Sequence, residues 1–118
     1  MADNENLELE EILKNIQNNK FKKEIIFVPQ FKSKIEVREL NGKDFLDCSL
    51  NSDSEDESKG SYLVNAIIKS CYTLQGEKIF NQPEHKNNVL MVNSLQKDSY
   101  LLLVSTVTKV NKEVKIKN

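Results

Sequence analysis

The spacing of apolar and polar positions changes period several times along the chain. In "LELEEILKNIQNN", Leu9, Ile12, Leu13 and Ile16 recur at helical spacing, with acidic residues at the start and Lys14 later, as a helix dipole favours. This predicts an amphipathic helix over about residues 6–18, able to pack on the body or to serve as a partner-binding arm. In "KEIIFVPQFKSKIEVREL" the period drops to two, at Ile25-Phe27 and Ile35-Val37, with a proline and polar residues between. Two short antiparallel strands follow, at about 24–29 and 34–39. Pro29 has no N–H to donate, so it belongs at a strand end or edge.

Helical spacing then returns. Asn41 can cap a helix with Asp44 three residues on, and Phe45, Leu46, Ser49 and Leu50 share one face. "NSDSEDESKG" holds nothing apolar and predicts a solvated loop. Over 61–74, Leu63, Ala66, Ile67, Ser70, Cys71 and Leu74 repeat at i, i+3, i+4, with Val64 and Ile68 widening the stripe. Gln75-Gly76 is expected to end that helix, with Gly76 as its left-handed C′ residue. Ile79 and Phe80 would fold back to build a helical hairpin. Pro83 suits the first turn of a helix at roughly 82–92. Asn93-Ser94 can cap a last one at about 94–111, carrying Tyr100, Leu103, Val104, Val107 and Val110 on one face. "YLLLVSTVTKV" is rich in strand formers, but its length and spacing favour the helix.

The fold class is therefore α+β: a mainly helical domain with an N-terminal two-stranded antiparallel β segment. Residues 1–20 form a polar leader and short amphipathic helix, 21–112 a single α+β domain, and 113–118 a polar tail. A chain of 118 residues can bury a core without disulfides or metals.

Composition narrows the function classes. Seventeen basic and eighteen acidic side chains nearly cancel, which argues against nucleic acid and against a polybasic membrane anchor. No stretch approaches the roughly 18 apolar residues of a membrane span, and the acidic N-terminus does not read as a secretory signal. Cys48 and Cys71 lie too far apart for a CxxC or zinc-knuckle motif and read as buried thiols of a reducing compartment. The three glycines fit no phosphate-binding loop, and His85 has no neighbouring His or Cys. Asp53, Glu55, Asp56 and Glu57 lack the order of a calcium loop. Nothing assembles a nucleophile, a base and an oxyanion site, so no enzyme, cofactor or metal is expected.

The order of parts is similar to that of a known family. A strand segment ending "KIEVRELNGKDFLDC" leads into the broad apolar helix "SYLVNAIIKSCYTLQGEKIF". The polar "NQPEHKNNVLMVNSL" and the apolar "LLLVSTVTKVN" follow. This resembles the small tail assembly chaperones of long-tailed bacteriophages, in which a "-V-R-x-L-x-G-K-x-F-" segment precedes the helices. The matching positions are Val37, Arg38, Leu40, Gly42, Lys43, Phe45, Gly76, Lys78, Phe80, Val110 and Asn111, and the resemblance covers about residues 25–112. Thr73 stands where an acidic residue is usual, and the insert "NSDSEDES" is not typical.

The resemblance implies a non-enzymatic protein of the host cytoplasm. It would bind the tape-measure protein, keep it soluble and help recruit tail-tube protein around it; self-association is a further partner reading. Competing readings are a structural head–tail connector or tail-completion protein, and a small regulator that binds a host factor. A tape measure exposes apolar helical stripes, so its carrier needs a complementary apolar face. Leu63, Ile67, Ile68, Ile79, Phe80, Leu101 and Leu102 are the candidates for that face. Each has a core side chain as its competing reading, because apolar helix stripes normally pack inward.

Overall fold

Alternating residues of the first strand pair set the layering. The structure, a computed structural model, describes residues 2–17, 21–50, 52 and 55–112. The expected tail 113–118 lies outside the described residues, as do Asp53 and Ser54 of the acidic loop. Strand β1 (Lys23–Val28) pairs antiparallel with β2 (Ser33–Arg38) in the register Lys23↔Arg38 to Val28↔Ser33. Pro29 begins the connecting 3-10 turn, where its missing N–H costs nothing. Lys32 closes that turn in a left-handed conformation, φ 54°, with its N–H on the Pro29 carbonyl. Val28, Ile35 and Val37 are buried, while Ile25 and Phe27 on the opposite face of β1 are 56% and 54% exposed.

Helix α2 (Gly42–Leu50) opens as the capping pattern predicts, the Asp44 N–H donating to Asn41 Oδ1 at 2.8 Å. Helix α3 (Tyr62–Ser70) is capped by Ser61, whose Oγ accepts from the Val64 N–H. Here the structure departs from the expected helix over 61–74. The chain leaves the helix at Cys71, and Cys71–Tyr72 form a third strand, β3, antiparallel to β2 through Glu36↔Tyr72 and Val37↔Cys71. The second edge of β2 offers unpaired backbone groups, and Tyr72 gains the Arg38 guanidinium 3.9 Å from its ring centroid. Gly76, at φ 89°, therefore closes a tight turn beyond β3 and does not cap a helix. The Thr73 N–H donates to the Glu77 carbonyl and the Gly76 N–H to the Thr73 carbonyl. The expected helical hairpin at this point is a strand and a turn, which still deliver Phe80 to the core.

Helix α4 (His85–Asn93) begins after Pro83, which precedes its first turn. Helix α5 (Lys97–Val110) forms despite its strand-forming composition. Leu103, Val107 and Val110 are buried on it, and it packs against β1, β2 and α3, so tertiary burial outweighs propensity. Ile67, Leu103, Val28, Val37, Val89 and Val92 are the largest fully buried aliphatic side chains. Each contributes about 1.5–3 kcal/mol on removal from water.

Side-chain amides hold the layers together. Asn111 accepts from the Leu40 N–H at 2.8 Å and donates to the Val107 carbonyl, tying the end of α5 to the entry of α2. Asn65 on α3 donates to the carbonyls of Lys59 and Gly60. Its Oδ1 lies 2.7 Å from His85 Nε2, so that nitrogen is the protonated one. Helix α1 (Ala2–Gln17) stands apart: every side chain from Glu8 to Gln17 is exposed, including Leu9, Ile12, Leu13 and Ile16.

Candidate partner-binding face

Helix α2 turns its apolar side outward. At 100° per residue, Phe45, Leu46, Ser49 and Leu50 share one face while Asp44, Asp47 and Cys48 share the other. Cys48 is the buried member, and the Asp44 carboxylate meets Lys69 Nζ on α3 at 3.6 Å. Phe45, Leu46 and Leu50 are left in solvent, Leu50 at 71% exposure. The apolar surface continues onto the start of α3, where the Tyr62 ring packs edge-on against Phe45 with centroids 5.8 Å apart and Leu63 is partly exposed.

A cleft of about 560 Å³ adjoins this face. Leu50 stands at it, Cys48, Ile68 and Phe80 form apolar wall, and its charged lining is mixed, Lys59, Lys69 and Lys78 with the Asp47 carboxylate. Burial pushes the Cys48 thiol up to about 11, with the charges of Asp44 and Asp47 adding to the effect and Lys69 opposing it. Burial raises Tyr62 as well, with a smaller contribution from Cys48. Such a thiol is an apolar wall and not a nucleophile. Among the described residues, no group of three or more His, Cys, Asp or Glu could hold a metal ion.

The seven candidate residues are not gathered on one face. Leu63 and Leu101 are exposed, on α3 and α5. Leu102 and Ile79 are half-buried against the core, and Ile79 lines a second cleft of about 320 Å³ with Phe31, Ile35 and Leu74. Ile67 is fully buried, and Ile68 and Phe80 are nearly so, reaching solvent space only as cleft wall. Phe45, Leu46 and Leu50 were legible as a shared helix face, but spacing alone gives no direction to a face. The acidic pair Asp44 and Asp47 on the opposite side, able to meet a lysine of α3, was the available signal.

No family model and no curated protein matches this sequence. The three-dimensional arrangement does find a counterpart. The fold is similar to that of the tail assembly chaperone of bacteriophage HK97, with a TM-score of 0.56 over 85% of this chain and 98% of that one. Identity across the superposition is 19%. The two chains share the α+β fold that the strand and turn motifs implied.

Proposed function

We propose that this chain is a tail assembly chaperone that holds the tape-measure protein in soluble form and helps recruit tail-tube subunits around it. The work takes place in the host cytoplasm. The observation that carries this reading is the outward apolar face of α2, displayed on a fold shared with a known tail assembly chaperone. Phe45, Leu46 and Leu50 make one contiguous apolar face turned to water, the kind of surface that a client exposing apolar helical stripes would cover. Phe45, Leu46 and Leu50 form the grip, Leu63 extends it, and the adjoining cleft accepts one protruding client side chain. The chain binds and releases, and no covalent step is involved.

Co-expression with a phage tape-measure protein tests the reading. The chain should raise the soluble tape-measure fraction severalfold and co-purify with it. Leu46→Lys combined with Leu50→Lys should abolish both effects while leaving the melting temperature within 2–3 °C, since exposed positions contribute little to stability. Peptides of this chain recovered in stoichiometric amounts from purified virions would sink the proposal in favour of a structural tail or connector subunit.

A further inference from the structure

The cleft beside α2 combines apolar wall with both signs of charge. Its volume of about 560 Å³ is that of an ordinary small-ligand pocket. Its floor is fixed before anything enters. Asn65 and Asn88 are buried in the lining, with both ends of each amide engaged. Asn65 holds the Lys59 and Gly60 carbonyls and His85. Asn88 Oδ1 accepts from the Gln82 N–H at 2.7 Å, and its Nδ2 donates to the Gln82 carbonyl. These bonds pin the start of α4 and the segment that follows Phe80, so binding there orders little of the protein.

The groups left over define the ligand. Lys78 and Asn81 line the cleft, and both are exposed. Among the described residues Lys78 makes no ion pair and Asn81 no side-chain hydrogen bond. Lys69 meets Asp44 only at 3.6 Å, longer than a tight charged hydrogen bond. Three ammonium groups against the single Asp47 carboxylate call for an anion. Asp47 disfavours a phosphate or a polyanion, whose oxygens only accept and repel it. The end of a polypeptide carries both kinds of group. Its carboxylate suits Lys78 and Lys69, and the N–H of its last peptide bond suits Asp47 or the Asn81 amide. Cys48, Ile68 and Phe80 then wall in the last side chain, with Leu50 beside it.

We propose that this cleft captures the C-terminus of a partner polypeptide that ends in an apolar residue. The side chain that the cleft accepts is then the last of its chain. The partner's identity as a client rests on the chaperone reading, but the site stands without it and short peptides test it alone.

Titration of the intact, isotope-labelled chain with N-acetyl-Gly-Ser-Ala-Leu, followed by NMR, reads the result. His85 lines the cleft and is the chain's single histidine, so its ring signals are unambiguous. The free-acid peptide should shift them saturably, together with the amides of Lys78 and Asn81. The same peptide with an amidated C-terminus should bind at least tenfold more weakly. Ending it in serine instead of leucine should cost at least fivefold. Lys78→Glu should abolish the shifts at an unchanged melting temperature, since Lys78 is exposed. Leu46→Lys on the α2 face should leave them intact, so failure of the client grip and failure of the chain-end site are read separately. No shift at 5 mM peptide overturns the proposal, and so does equal binding of acid and amide. Displacement of the peptide by equimolar inorganic phosphate would mark a general anion site and overturn it equally.

Discussion

Single side chains in this domain are held by stereochemistry that can be tested one at a time. Gly60, at φ 78°, sits where a Cβ would approach Val89 Cγ2 to 3.1 Å. Gly60→Ala combines backbone strain with a crowded contact and should lower stability by about 1–3 kcal/mol in urea titration. Ser70 gives the opposite expectation. Its Oγ is buried and finds no hydrogen-bond partner among the described residues. Ser70→Ala removes an unsatisfied polar group and should raise stability by about 1 kcal/mol in the same titration. Cys71 is buried, its thiol pushed up to about 12 by desolvation, and Cys48 stands at about 11. Neither should react with a thiol reagent at pH 8 over hours in the native state, and both should react within minutes in denaturant. Fast labelling without unfolding would place at least one of them at the surface.

Elements explain where sequence and structure part. Helix α5 and the β1–β2 hairpin follow from periodicity, because each has one face to bury and finds it. The end of α3 does not. Its apolar spacing runs through Leu74, but the open edge of β2 captures Cys71 and Tyr72, a long-range event that no local pattern encodes. The α2 face was readable as a face and unreadable as to direction, since burial depends on what α3 offers. Among the proposed contact residues, Ile67 fell to the core for the same reason: a stripe broad enough to contact two sides was filled by the domain itself.

The sheet also carries an acid dependence. Burial raises the pKa of Glu36, but its hydrogen bonds to Arg38 and Lys23 and their charges outweigh that, and the carboxyl titrates below its ordinary 4.5. A lowered folded value means the group stabilises the native state above about pH 4.5, and the contribution disappears as pH falls through the folded value. Glu36→Gln should therefore cost about 1 kcal/mol at pH 7, with both cations still in contact with water, and less at pH 3. Equal losses at the two pH values would show that the ion pairs contribute nothing.

At the scale of the molecule, α3 is the hub: it packs against α2, α4 and α5, and β3 continues directly from it. Layers joined in this way should unfold in one step, with coincident transitions by fluorescence and circular dichroism. Helix α1 is the exception, since its side chains from Glu8 to Gln17 are exposed among the described residues. Its amides should exchange with solvent orders of magnitude faster than those of α3 in dilute solution, because a lone helix of this length is marginal in water. The hydrogen bonds at the corner of the body have a further consequence. Lys22 is fastened to Glu39, and the next residue, Leu40, is fastened to Asn111. The first and last stretches of the folded body thus leave from neighbouring points. A rewired gene that splices Lys112 to Phe21 through a few glycines, and starts instead at Asp56, should yield a molecule that refolds to the same architecture.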